Sequence, residues 1–218
     1  MEAFFEMLKN VVIFVLLAFP GYILLKTKIL KSEHSVALSK VLMYVGMPFL
    51  ILTSTINKIS FDKQLLTFLL VVAVIGIAYI FAMFFLSKPL SLMEKESKKQ
   101  GMMRFSEVFA NNGFLGIPIA IAVFPNQPIV LTVVVVINII NNVLLYTLGI
   151  YLVSGDKSRM NVKKAILNPV LIAFIIGLVL NLIDINLYIP EVTTYSNYFS
   201  NLVTPLSMFV LGMKMGDI

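Results

Sequence analysis

The sequence predicts an all-α integral membrane protein of about seven transmembrane helices, on three observations. Hydrophobic residues make up 59% of the 218 and charged residues only 13%, whereas a soluble domain carries about 25% charged residues. With a mean hydropathy of +0.96, the chain lacks the polar surface to cover itself in water. Its apolar residues also gather into seven stretches, most long enough to cross a hydrocarbon core of about 30 Å at about 1.5 Å per helical residue. Finally, the basic residues fall on alternate connecting segments, the pattern of a chain that crosses a bilayer repeatedly.

The stretches come in order at 10–25, 38–56, 64–87, 105–124, 128–153, 166–182 and 198–215. No small-x-small cleavage site ends the first; Phe19-Pro20-Gly21-Tyr22 follows instead, so it reads as a retained span and not a signal peptide. The fifth is rich in β-branched residues, yet within a bilayer it reads as helix, because a lone strand cannot satisfy its backbone there.

The fourth stretch is built to fail as a helix in its middle. Asn111 and Asn112 compete for backbone hydrogen bonds, Gly113 and Gly116 each disfavour helix by about 1 kcal/mol, and Pro118 removes an N–H and pushes Ile117 from helical dihedrals. Counted from Phe105, residues 113–118 lie near the midplane. An interruption there survives only against protein or a water-filled cavity, and many secondary carriers build their substrate site that way. A kinked helix that only packs closely is the alternative. In the fifth stretch, Asn138 shares a helix side with Asn141 and Asn142. That side must face protein or a cavity, either in hydrogen bonds between helices or in contact with the break of the fourth span.

Orientation follows from the cations. One face receives Lys9, Lys58 and Lys63, three in all; the other receives fourteen, including Lys26, Lys95, Arg104, Lys163, Lys164 and Lys214. The positive-inside rule then puts the N-terminus outside and the C-terminus in the cytoplasm. An internal echo accompanies this layout. Gly21-Tyr22-Ile23-Leu24-Leu25 resembles Gly177-Leu178-Val179-Leu180-Asn181, and the segment around Pro48 resembles that around Pro205, at separations of 27 and 28 residues. Five spans separate each unit from its copy, so the copies run in opposite directions, as in inverted-repeat carriers. We divide the chain into a first five-helix repeat (1–153), a basic cytoplasmic loop (154–165) and the first two helices of a second repeat (166–218). The copy of the fourth span would be a ninth, so the expectation is a fragment whose last three helices are missing.

The runs FPGYILLKTKIL and LSKVLMYVGMPFLILTS (within 19–54), FANNGFLGIPIAIAVF (109–124), LNPVLIAFIIGLVLNL (167–182) and LVTPLSMFVLGMKM (202–215) resemble the auxin efflux carrier family. These are the prokaryotic malate/malonate permease-like proteins related to plant PIN auxin carriers. The resemblance covers essentially the whole chain, and its most specific part is Asn-Asn-Gly-Phe-x-Gly-x-Pro. It implies ten spans as two inverted five-span repeats, a sodium/proton-antiporter-like crossover of two broken helices, and a scaffold of spans one, two, six and seven. A transport domain moves against that scaffold. Asn111, Asn112, Gly116 and Pro118 match the first crossover helix; the second crossover has no counterpart here.

The substrate site is therefore expected at Asn111, Asn112, Gly113, Gly116, Ile117 and Pro118, supported by Asn138, Asn141 and Asn142. Its ligand would be a small organic anion met by the N-terminal end of a half-helix that begins near Pro118. The preceding half-helix should end near Asn112, its carbonyls suiting a coupling proton or sodium ion. The lipid bilayer is the surrounding partner; no nucleic acid is expected, and a homodimer is left open. Glu107 is expected to pair with Arg104, Asp62, Asp184 and Glu191 to be solvated on the outer side, and Lys214 to snorkel to the interface. Residues 94–99 read as a loop attracted to anionic lipid. The absence of cysteine excludes disulfides, Cys-ligated metals and thiol catalysis, and with His34 the one histidine no metal site is expected. No phosphate-binding loop or Ser/His/Asp grouping suggests an enzyme or cofactor. A secondary carrier of organic anions in the cytoplasmic membrane is the leading reading; a seven-helix receptor, or a non-transporting truncated subunit, is the alternative.

Overall fold

A main chain in oil can satisfy its N–H and C=O groups only internally. The structure, a computed structural model that describes residues 2–56, 62–124, 127–183 and 190–217, does so with helices and no strand among those residues. Lys58 and Asp184 lie outside the described residues.

Helix α1 (Glu2–Lys26) is continuous through Pro20. The second span joins α2 (Ser32–Val41), a π turn (Leu42–Gly46) and α3 (Met47–Ile56), and α4 (Lys63–Ser91) is the third. The fourth consists of α5 (Ser97–Val108), a non-helical step, a π turn (Asn112–Gly116) and α6 (Ile117–Val123). The fifth is α7 (Pro128–Leu144), a π turn (Leu145–Gly149) and α8 (Ile150–Ser154). There follow α9 (Val162–Ile166), α10 (Pro169–Leu182), α11 (Pro190–Asn201) and α12 (Val203–Gly216).

Five segments are long and apolar enough to cross a bilayer: Leu8–Lys26, Ser32–Ile56, Lys63–Ser91, Lys99–Val123 and Pro128–Ser154. The last two expected spans are shorter than drawn. Helix α10 has 14 residues, about 21 Å, and the stretch at 198–215 divides at Leu202 between the polar α11 and the apolar α12. Pro205 falls in the first turn of α12, where its missing N–H costs nothing.

Two prolines share one device. Pro48 and Pro118 each follow a π turn that ends in glycine, as Gly46-Met47-Pro48 and Gly116-Ile117-Pro118. In an α-helix the proline ring collides with the carbonyl four residues back. One extra residue in the preceding turn moves that carbonyl aside, so the helix passes through its proline unbroken.

The core has two parts. Leu42, Ile51, Ile117, Val135, Val170 and Val203 hold the second span, α6, α7, α10 and α12 together; Ile80, Val108, Phe109 and Leu152 join α4, α5 and α8. Helix α1 lies along α12 so closely that a methyl group on Gly21 would overlap the Phe209 carbonyl, and one on Gly212 the Ala18 carbonyl. Likewise α10 lies on α3, with Gly177 against Thr55 and the Asn181 amide donating to the Thr55 and Ile56 carbonyls at 3.0 Å each. The outer faces are apolar: Val15 and Leu16 on α1 and Leu70, Val74 and Phe85 on α4 are more than three-fifths exposed, as suits side chains that meet lipid tails.

Candidate functional site

The fourth span is broken, but earlier than its glycines and proline suggest. Helix α5 ends at Val108, residues 109–111 form a non-helical step that is extended at Phe109 and turns at Asn111, and the second half-helix begins at Asn112. Residues 113–118 are helical throughout, which corrects the expected break between Gly113 and Pro118. The first half-helix accordingly ends at Val108 and not near Asn112. It also starts at Ser97 instead of 105, so the charged run 94–99 is partly helical, with Lys99 paired to Glu96 at 2.9 Å. Twelve helical residues precede the non-helical step and a five-residue π turn plus a seven-residue helix follow it. The interruption therefore sits at the centre of the span, about 18 Å from either end.

Local chemistry explains the position. Asn111 is a strong N-cap residue: its side-chain oxygen accepts the Phe114 N–H at 3.2 Å, and its carbonyl accepts the Leu115 and Gly116 N–H groups at 3.2 and 3.3 Å. On the other side, Val108 and Phe109 are buried against α4 and α8, which fixes where α5 stops. The Ala110 carbonyl between them takes the Asn112 N–H at 2.9 Å and, from α7, the Asn141 side-chain amide at 3.2 Å. Gly113 serves close packing: a Cβ there would stand 3.3 Å from the Asn138 amide oxygen.

A cavity of about 320 Å³ opens beside this step, within the range of small-ligand sites. Six of its sixteen lining residues are asparagines: Asn111, Asn112, Asn138, Asn141, Asn142 and Asn168. No lining side chain is charged. Asn142 donates to the Asn138 main-chain carbonyl at 2.8 Å and to its side-chain oxygen at 3.1 Å, so that Asn138 is held from its own helix. The two polar groups flagged in the sequence thus meet, joined by the Asn141–Ala110 bond. Gly113 lines the cavity, whereas Gly116 faces Val134 and Ile117 and Pro118 are buried in the core.

Sequence reasoning missed Asn168 and Tyr146, both on the cavity wall. Asn168 is buried and caps α10, accepting the Val170 N–H at 2.9 Å. The Asn-Pro pair that opens α10 was its signal. Two helix N-termini, at Asn112 and Pro169, consequently border one uncharged cavity. Asn10 on α1 was missed as well; its amide caps the far end of the second half-helix at the Ala122 carbonyl, 2.8 Å away.

The expected Arg104–Glu107 pair does not form. Arg104 turns to α4, donating to the Phe84 carbonyl at 2.9 Å and the Ser87 hydroxyl at 3.2 Å, with its guanidinium 5.0 Å from the centre of the Phe84 ring. One main-chain carbonyl, a hydroxyl and an aromatic face on α4 together satisfy a planar cation more fully than one carboxylate on the same helix.

A sequence model of a family described as membrane transport protein matches residues 6–163. Two archaeal proteins, each described as an uncharacterized transporter, are similar over nearly the whole chain. One, from Methanocaldococcus jannaschii, is 31% identical over 213 residues, 94% of this chain and 68% of the relative. The other, from Methanothermobacter thermautotrophicus, is 28% identical over 219 aligned positions, 96% of this chain and 67% of the relative.

Proposed function

Since the chain belongs to the membrane transport protein family, that of the auxin efflux carriers, we propose that it moves a small organic anion across the cytoplasmic membrane by alternating access around the broken fourth span. The observation that carries this reading is the non-helical step at 109–111 beside an asparagine-lined, uncharged cavity. The partial positive charge at the start of the second half-helix, about half a unit, favours a carboxylate without a buried Lys or Arg. The Gly113 N–H offers a donor there, and the Asn112 and Asn138 amides supply others. At the other end of the step, the carbonyls that close α5 suit a coupling proton or sodium ion.

The packing supports an inverted repeat. Span one lies on span seven with Gly21 at the crossing, and span six lies on span two with Gly177 at the crossing. Exchanging each unit for its copy turns one pair into the other. On this reading residues 1–153 are the first repeat, with the N-terminus outside, and 166–218 belong to the second. The second, sixth and seventh spans then form a scaffold around Leu42, Ile51 and Val203, with the first laid on the seventh through Phe14, Ala18 and Met208, while α4, α5 and α8 carry the moving part.

Proteoliposomes holding the chain test this with radiolabelled malonate and an imposed proton gradient. Accumulation above protein-free vesicles is expected, cut roughly tenfold or more by Asn112→Ala. Binding without accumulation, or accumulation indifferent to Asn112→Ala, would sink the carrier reading.

A further inference from the structure

A second cavity, of about 470 Å³, adjoins the first and shares Met43, Tyr146 and Asn168 with it; the rest of its wall includes Tyr44, Lys163 and Lys164. The two lysines are not on a loose tail. The Asn161 N–H donates to the Tyr146 carbonyl at 3.0 Å, and the Asn161 side chain accepts the Lys164 N–H at 2.9 Å. These bonds seat the short basic helix α9 against the π turn of the fifth span. Among the described residues neither lysine is in an ion pair.

We propose that this cavity is an antechamber in which Lys163 and Lys164 collect the carboxylate-bearing anion before it passes the partition of Met43, Tyr146 and Asn168 to the broken span. The inference rests on the carrier reading above and adds a second anion site to it. The division of labour is physical. Exposed ammonium groups raise the local concentration of anion and its rate of encounter but hold it weakly, because water and salt screen them. The uncharged inner cavity can then bind the anion without trapping it behind a full buried charge.

The test is radiolabelled malonate binding to the chain in phosphatidylcholine nanodiscs, with association rate and capacity measured at low and high salt. Lys163→Gln/Lys164→Gln is compared with Lys88→Gln/Lys95→Gln, a pair of exposed lysines outside both cavities, and with Asn112→Ala. The expected result is an association rate lowered about fivefold or more at low salt, the difference vanishing at high salt while capacity is kept; the control pair should match the parent. Equal loss in both lysine pairs, or no loss in either, overturns the antechamber while Asn112→Ala still tests the inner site. An effect seen only when phosphatidylglycerol is added means that the lysines hold lipid phosphate, and this also overturns it. A parent chain that binds no malonate removes the carrier reading along with it.

Discussion

Asn141 is the residue whose removal speaks most directly to the site. Its amide reaches from α7 to the Ala110 carbonyl at 3.2 Å, and it is the bond by which α7 holds the non-helical step. A net hydrogen bond contributes about 0.5–1.5 kcal/mol in proteins, and those between membrane helices average about 0.6 kcal/mol. Ala110 keeps a second donor, the Asn112 N–H at 2.9 Å, so Asn141→Ala leaves no orphaned acceptor and avoids the full desolvation penalty. The expected cost is about 1 kcal/mol, or roughly 2–4 °C in apparent melting temperature for a chain of this size. Malonate uptake should fall much further, by about tenfold or more, because a small displacement of the 109–111 backbone misplaces every donor at the cavity. Thermal unfolding in detergent and uptake in proteoliposomes, measured on the same preparation, read the two effects. Unchanged uptake would refute the link between this bond and transport. A melting temperature lowered by more than about 10 °C would refute the local assignment, since it would make Asn141 a support of the whole fold.

Three further outcomes follow from the geometry. The chain has no cysteine, so single thiols can be introduced without background: Ala110→Cys should react with a water-soluble maleimide in the membrane, because thiolate forms only where water reaches, while Ile119→Cys, on the second half-helix, should stay unlabelled. Gly212→Ala forces a methyl group onto the Ala18 carbonyl and should destabilise by about 1–3 kcal/mol, seen as a lower melting temperature; Gly76→Ala, whose methyl would meet Ile140 at an ordinary 3.6 Å, should be tolerated. The Asp156 carboxyl is held below its usual range by the Ser158 hydroxyl first and the Ser158 N–H second. Ser158→Ala should therefore raise it, so that the loop takes up its proton at higher pH than in the parent, as an NMR titration of Asp156 would record. The sign follows from linkage: a depressed carboxylate stabilises above its unfolded value, and that contribution is lost as pH falls through the folded one.

Much of the fold was legible because the bilayer leaves a chain few choices. Five of the spans were readable from apolar length alone. The asparagines of the fourth and fifth stretches stood out because an amide in oil needs a partner. Which partner each would find was not legible. Asn141 bonds to a main-chain carbonyl 31 residues away, and Arg104 leaves the acid one turn along for the Phe84 carbonyl of α4. Neither choice has a local signature.

Composition and the spacing of charge by themselves determined that this protein is helical and lives in a membrane, because solvation of the peptide group depends on residue type and length, and the Asn-Asn-Gly-Phe-x-Gly-x-Pro run marked its fourth span as the weak one. Only the tertiary structure decided where the interruption falls. Gly113, Gly116 and Pro118 weaken a helix wherever they stand, yet the break moved to 109–111. There Phe109 is packed by α4 and α8, Asn111 caps the new helix, and Asn141 takes the exposed carbonyl. A π turn then absorbed the proline. Propensity names the weak segment; the neighbours that can satisfy its freed backbone groups choose the bond that gives way.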